Sequence, residues 1–593
     1  MSRRDIVLGI QFGGHDTAAG LMIDGRLLAA CEQERYCGEK HTRRFPSDAI
    51  ADCLKMGGVE IADISEIGFC FDPIYYIRET YLKTALEDDD RIGFLINDID
   101  RIAVEYRMEE RIREETSFQG PIVFHRHHMC HLASAYYPSG FDDALLCSFD
   151  GMGEIETSLM AVGRAGRIEV VHAGNRYPHS FGLLYSAVTH YLGWKHHCDE
   201  GIVMGLAPYG DADAIVPGER RSYREVFAEI LIETGDYDIA VNTDWIAYHK
   251  VRDTWISERF TETFGPRRLP GGPLTPVHRN IAAALQARLE EIVLNQLRRA
   301  RQAFGLRRLC LAGGVALNCS MNGKIEASGI FDEIFVQPAS GDNGTVIGAC
   351  YLSHAAHAGG SVKPQRDLDN LKGSRFDDAE IAAAFRSAGI SAVRAKDPYA
   401  LTAKKLAEGK IVGWFQGGAE FGPRALGNRS ILTRPFPAEM KDHLNARVKF
   451  REEFRPFAPA VLAAFQDDYF TIGQDSPHML IACQVRADKR DAIPAVVHVD
   501  GSCRVQTVRP ETNQRFDALL KAFHAETGCP VLLNTSFNVK GQPIVNTPAE
   551  AIACFRSTNI DVLVVGDFYV EKSSAGELPL IDAADVGSEH AAV

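Results

Sequence analysis

The feature that most constrains this chain is a hairpin that occurs twice. The first copy runs Val7-Leu8-Gly9-Ile10, then Gly13-Gly14-His15-Asp16-Thr17, then Ala19 to Ile23 and, past Asp24-Gly25, Arg26-Leu27-Leu28. The second runs Ala144 to Phe149, then Asp150-Gly151-Met152-Gly153-Glu154, then Ser158 to Val162 and, past Gly163 to Gly166, Arg167 to Val171. Each is an apolar strand, a polar glycine-bearing turn, a second strand, and a tight reversal into a third. Glycine in the first turn lets backbone amides approach an anion or a metal-bound ligand. Two such units, roughly 130 residues apart, fit a duplicated α/β fold with a cleft between its halves. Chance likeness between two hairpins is the competing reading.

Further along, Leu309-Cys310-Leu311-Ala312 is a strand leading into Gly313-Gly314-Val315-Ala316-Leu317-Asn318. Ile334-Phe335-Val336 leads into Ser340-Gly341-Asp342-Asn343-Gly344 and a small-residue helix, Thr345 to Leu352. Strand, polar glycine turn, helix is the pattern that places ligands at helix N-termini. A chain of 593 residues exceeds one hydrophobic core, which stops growing near ~250–300 residues. The reading is a duplicated domain over 1–355 and a linker over 356–376 carrying Gly359-Gly360 and Pro364. A second domain follows over 377–575, and a tail over 576–593 has little to bury. Strand-like Ile411 to Phe415, Val531 to Asn534 and Val562 to Val565 belong to the second domain.

Charge and composition exclude several classes. A net charge of −15 opposes broad nucleic-acid binding, which needs a basic surface. No apolar run approaches the ~18–20 residues of a membrane span. Met1 to Asp5 leads straight into the strand-like Ile6 to Ile10, which reads as a domain start and not as a signal peptide. The 14 cysteines contain no CxxC pair, as expected of reduced cytoplasmic thiols. No serine elbow, Walker A or kinase signature is present.

Three constellations carry the chemistry. His127 and His131 share one helix face at i and i+4, the spacing that lets two imidazoles hold one metal. Asp150 and Asp342 end apolar strands elsewhere, and two His with two Asp suit Fe(II), Mn(II) or Zn(II) with open positions. Against this, a chance HxxxH is common in a chain with 20 histidines. The second constellation is basic: Arg424, Arg429, Arg434, Lys441, Arg447, Lys449, Arg451 and Arg455 face four acidic residues, a local net charge of +4. Rigid turns around several of these, Gly422-Pro423-Arg424 and Phe454-Arg455-Pro456, suit bidentate phosphate binding. The third is Asn534-Thr535-Ser536-Phe537-Asn538 after an apolar strand, which either binds a nucleotide or caps a turn.

Taken in order, these stretches resemble the NodU/TobZ/CmcH-type O-carbamoyltransferases over essentially the whole chain. The matching stretches include Gly14-His15-Asp16, His127 to Ala135, Asp150 to Glu154, Asp199 to Gly210, Ala312 to Asn318, Gly341-Asp342-Asn343, Glu420 to Ser430, Phe454 to Pro459, Asp500 to Gln506 and Leu533 to Asn538. The resemblance implies an actin-like (ASKHA, threonylcarbamoyl-transferase-like) N-terminal domain holding Fe(II) or another divalent metal, and an α+β YrdC-like C-terminal domain. It implies that carbamoyl phosphate and ATP, with Mg²⁺, give carbamoyl-adenylate, and that the carbamoyl group then passes to a hydroxyl of a small molecule such as a natural product or sugar.

By motif position His127, His131, Asp150 and Asp342 are the implied metal ligands, and His15 is the implied catalytic group near the acceptor. Arg424, Lys449, Arg455, Arg504, Asn534, Ser536 and Asn538 are the implied contacts to carbamoyl phosphate and ATP. Gly313, Gly314 and Asn318 are the implied contacts to carbamoyl-adenylate. Ile202 departs from the lysine that relatives commonly carry there. Neither nucleic acid nor membrane is an expected partner, and a homodimer is allowed for. Carbamoyl transfer in tRNA modification, a sugar or acid kinase, and a metal- and nucleotide-binding regulator are the rival readings. The acceptor has no motif of its own.

Overall fold

Ile6–Gln11 and Ala18–Ile23 are buried along their whole length. A strand with no exposed face lies inside a sheet covered on both sides. Here it belongs to a five-stranded sheet ordered Arg26–Glu32, Ala18–Ile23, Ile6–Gln11, Glu66–Phe69, Ile122–Phe124. The first three form an antiparallel meander, and the last two add in parallel beside its first strand. A second sheet repeats this plan. Asp143–Phe149, Ser158–Arg164 and Arg167–His172 form the meander. Arg308–Ala312 and Glu333–Val336 add in parallel beside Asp143–Phe149. The repeated hairpin is thus the visible part of a repeated five-strand topology, that of the actin-like fold.

Each half closes with a helix after its fifth strand, His127–Ser139 in the first and Thr345–His357 in the second. These two helices pack on one another. Glycine at 348 permits the approach, because a side-chain carbon there would sit 1.8 Å from the Cys130 carbonyl oxygen. Both helices are buried on nearly all sides, as befits elements at the centre of a duplicated domain.

The second unit is built on an eight-stranded mixed sheet, ordered Val393–Arg394, Phe568–Glu571, Val562–Val565, Val412–Phe415, Arg429–Thr433, Val531–Ser536, Ala458–Leu462, Gln506–Val508. Helices Pro398–Ala407 and Pro510–Thr527 pack together against it. A three-stranded antiparallel sheet, Phe470–Thr471, Ala482–Val485 and Ser502–Arg504, is appended.

The computed structural model describes residues 4–573 and 578. The tail expected over 576–593 lies outside them but for Leu578. The chain divides between Leu368 and Asp369, and Glu34–Lys40 belongs with the second unit. The sequence reading gave that segment to the first domain. Its contacts explain the difference: Arg35 Nη2 donates to the Gly422 carbonyl at 2.7 Å, and the Tyr36 hydroxyl lies 3.0 Å from that of Ser374. Among the described residues, no helix is long and apolar enough to cross a membrane.

Candidate active site

In the first unit four side chains converge from both halves. His127 and His131 lie one helical turn apart, with their Nε2 atoms 3.0 Å from each other. Asp150 follows the strand Asp143–Phe149, and Asp342 precedes the helix Thr345–His357. His127 Nε2 is 3.3 Å from Asp150 Oδ2 and 3.5 Å from Asp342 Oδ1; His131 Nε2 is 3.8 and 3.9 Å from the same atoms. Both imidazoles and Asp150 are buried. Burial, with Asp150 adding and His127 opposing, pushes Asp342 up to about 7. Burial acts the same way on Asp150, but His127 and His131 outweigh it and hold that carboxyl well below the usual range.

These donors fit a divalent cation. Ligands ~2.1 Å from one ion lie ~3.0 Å apart at right angles and ~3.4 Å apart at the tetrahedral angle, close to the spacings found. Two carboxylates also balance two positive charges in a buried place. Uncompensated burial of such charges is costly.

The surroundings fix these ligands. Glu154 is wholly buried, and its Oε1 accepts the backbone N–H groups of His127 and Asp72, both at 2.9 Å. It therefore holds the first residue of the His127–Ser139 helix, where negative charge suits the helix dipole. Arg126 backs it, 3.5 Å from Glu154 and 2.7 Å from Glu156. The Gly314 N–H donates to Asp150 Oδ1 at 2.7 Å. Gly313 has φ +88°, and a side-chain carbon there would sit 2.2 Å from the Phe149 carbonyl.

Gly314 thus aims Asp150, and its amide is already engaged. Asn318 is engaged too: Oδ1 caps the following helix at the Met321 N–H, and Nδ2 donates to Gln286. His128 faces away, with Nδ1 2.5 Å from the Ser148 hydroxyl and Nε2 2.9 Å from the Glu156 carbonyl oxygen. Ile202 is buried within Glu200–Leu206.

His15 sits in the first hairpin's turn, the place that Asp150 holds in the second. Its Nδ1 lies 3.1 Å from Asp16 Oδ2, while Asp16 Oδ1 is 2.5 Å from His41 Nδ1. His15 and His41 stack with centroids 4.5 Å apart. The His15 Nε2 is buried without a hydrogen-bond partner. Burial would lower the His15 pKa, but the Asp16 carboxylate outweighs burial and holds it well above 6.5.

The second unit gathers cations. Lys449 is buried, and its Nζ donates to the Ser536 and Asn538 carbonyls at 2.8 and 2.9 Å and to Asn538 Oδ1 at 2.7 Å. Burial first, then Arg451, Arg455 and Lys40, push this ammonium well below its usual pKa. Arg451 is brought down to about 9 by burial and by Arg455 and Arg504. Glu452 stands 3.5 Å from Arg455 and also 3.1 Å from Lys540. Each cation is depressed because the others stand close to it in a place with little water.

Arg424 is half-buried in a loop pinned by Glu420, whose Oε1 accepts the N–H groups of Leu426, Asn428 and Arg429 at 2.7, 2.8 and 3.1 Å. Asn534 holds Gln506 and the Ala425 carbonyl. The Ser536 hydroxyl donates to Asn538 Oδ1 at 2.7 Å. Both serve the loop first. Arg429, one of the cations the sequence marks, is wholly buried. It donates to the Gln416 and Ser374 carbonyls at 2.6 and 3.0 Å and lies 3.6 Å from the Phe415 ring centroid, which makes it framework. Sequence reasoning passed over Glu154, Glu420 and His41. The first two lie inside the resemblance stretches, whereas His41 carries no signal of its own.

The first unit is thus a duplicated α/β domain with a His₂Asp₂ cluster, and the second carries a cluster of cations. Residues 6–351 match the Carbamoyltransferase N-terminus family model and residues 403–572 match the Carbamoyltransferase C-terminus model. The chain is 37% identical to an uncharacterized protein of Synechocystis sp., over 96% of this chain and 97% of that one. It is 37% identical to Nodulation protein NolNO of Sinorhizobium fredii, over 95% of this chain and 79% of NolNO. It is 41% identical to Nodulation protein NolO of Bradyrhizobium diazoefficiens, over 76% and 79%. The chain belongs to the carbamoyltransferase family and is an enzyme of that class.

Proposed function

We propose that the protein is an ATP-dependent O-carbamoyltransferase that makes carbamoyl-adenylate in its second unit and uses it in its first. The observation that carries this reading is the presence of one charged site per unit, cationic in one and His₂Asp₂ beside a His–Asp pair in the other. In the second unit, water hydrolyses carbamoyl phosphate, its oxygen bonding to the carbamoyl carbon as phosphate leaves, which gives carbamate. A carbamate oxygen then displaces pyrophosphate from the α-phosphorus of ATP, which enters with Mg²⁺. Arg424, Arg451, Arg455 and Arg504 bind the phosphate oxygens, and Arg forks suit that geometry. Lys449 holds the loop of Ser536 and Asn538 in place.

In the first unit, His127, His131, Asp150 and Asp342 would hold Fe(II) or another divalent cation, which when bound supplies positive charge to offset that of the adenylate phosphate. Asp16 fixes the His15 tautomer by accepting a hydrogen bond from Nδ1–H, 3.1 Å away, so that the Nε2 lone pair can accept the proton of an acceptor hydroxyl. Asp16 also makes His15 a stronger base than free imidazole. The acceptor oxygen bonds to the carbamoyl carbon, the bond to AMP breaks, and AMP leaves. Burial of the cluster keeps water from a reactive intermediate.

The test is incubation with carbamoyl phosphate, ATP, Mg²⁺ and Fe(II) together with a panel of hydroxyl compounds. Pyrophosphate release that depends on carbamoyl phosphate, and a product heavier by one carbamoyl group, are expected. Pyrophosphate release indifferent to carbamoyl phosphate would overturn the proposal, and carbamoylation of an amine alone would overturn the hydroxyl acceptor.

A further inference from the structure

Beside the His₂Asp₂ cluster lies a second convergence, of which the proposed reaction uses His15 alone. His15, His41 and Cys198 each bring one ligand-capable atom to a common place, all within 4.8 Å of one another. The three come from distant parts of the first unit. His15 lies in the first hairpin's turn, His41 lies beyond its third strand, and Cys198 immediately precedes the helix Glu200–Leu206 that begins two residues later. Asp16 takes both imidazoles on their Nδ1 side, at 3.1 and 2.5 Å. A carboxylate behind each of two imidazoles is the arrangement that orients metal-ligating histidines, with the other ring nitrogen turned to the ion. The buried His15 Nε2 has no hydrogen-bond partner. Cys198 is half-buried and carries no disulfide.

We propose that His15, His41 and Cys198 form a second cation site, distinct in chemistry from the His₂Asp₂ cluster and selective for a borderline-soft divalent ion such as Zn²⁺. Two nitrogens and a sulfur favour such an ion, whereas two nitrogens and two carboxylates also accept harder ones. A thiolate and the Asp16 carboxylate balance the ion's two charges. Occupancy takes the lone pair of His15, so the site is an off-switch for any proton transfer through that residue. This last clause alone rests on the function proposed above; the ligation does not.

Cobalt(II) tests the site without an activity assay, because only a sulfur ligand gives thiolate-to-cobalt charge-transfer absorption and the His₂Asp₂ set has none. Titration of the full-length protein with Co²⁺ is expected to show that band and to lose it when Zn²⁺ is added. Cys198→Ser should abolish it. His41→Ala and His15→Ala should each weaken Co²⁺ binding at this site by about tenfold or more. His127→Ala with His131→Ala should leave the band in place. Absence of the band in the wild-type protein at saturating Co²⁺, or its persistence in Cys198→Ser, overturns the site. A band and affinity unchanged in His15→Ala overturn the off-switch.

Discussion

Glu420 is the residue through which the cationic site is most open to a decisive perturbation. One carboxylate oxygen, in a side chain 1% exposed, accepts three backbone N–H groups. Those three groups fix the turn Leu426 to Arg429, which follows directly on Arg424. In Glu420→Gln the acceptor oxygen stays and the charge goes. A hydrogen bond to a charged group contributes ~1.5–3 kcal/mol against ~0.5–1.5 for a neutral one, so three bonds lose about 3 kcal/mol gross. Relief from burying a charge returns part of this, and a net loss of about 1–3 kcal/mol is expected. Glu420→Ala leaves three buried N–H groups unsatisfied at ~1–3 kcal/mol each, so its loss should be at least about 3 kcal/mol.

For a unit of this size 1 kcal/mol corresponds to ~2–4 °C, which puts Glu420→Gln about 2–12 °C below wild type in the melting of the second unit. The assay pairs differential scanning calorimetry with pyrophosphate release dependent on carbamoyl phosphate. The second readout should show a raised KM for ATP, since the loop that carries Arg424 loosens. Glu420→Gln that melts and turns over like wild type would refute the account of this loop.

Three further outcomes follow from the geometry. Asp16→Asn should move the acid limb of the transfer rate to lower pH. Asp16 raises the His15 pKa and the base works deprotonated, so removing the charge lowers the limb; its plateau should also fall ~10²–10⁴-fold through loss of the oriented tautomer. An unchanged limb in a pH-rate profile would remove Asp16 from the base. His127→Ala with His131→Ala should lose the tightly held metal by elemental analysis while keeping the wild-type circular dichroism spectrum; full metal retention would sink the His₂Asp₂ assignment. Arg451→Met should weaken ATP binding ~10- to 150-fold by calorimetry, the loss of one charge-assisted phosphate contact; unaltered binding would displace the anion site.

Different parts of this architecture were legible in the sequence for different physical reasons. The hairpin repeat and the parallel strands could be read because each is a short run whose burial is written in its own side chains. Their bounds agree closely with the structure: the strand read over Val562 to Val565 is Val562–Val565, and the helix read from Thr345 begins at Thr345. The His127–His131 pair could be read because helical spacing is local. Arg429 could not be sorted from Arg424 or Arg455, since a count of cations gives charge and says nothing of which guanidinium is buried on backbone carbonyls. The placement of Glu34–Lys40 with the second unit had no signal, because seven residues carry no composition of their own and their partners lie more than 300 positions away. His41 and Cys198 meet only through tertiary structure.

The duplication explains why the site of the first unit has the residues it has. The turn after the first strand supplies His15 and Asp16 in one half and Asp150 in the other. The start of the closing helix supplies His127 and His131 in one half, and the turn before it supplies Asp342 in the other. The two closing helices pack on one another, held close by Gly348. A symmetric ancestor of such a site would bring identical residues together, giving like charges or two imidazoles at each pair of places. The present pairs are unlike. Two imidazoles of the first half, His127 and His131, meet two carboxylates of the second, Asp150 and Asp342, so the cluster suits one divalent cation with balanced charge. Divergence of the two halves is what lets a repeated fold bring two imidazoles from one half to two carboxylates of the other.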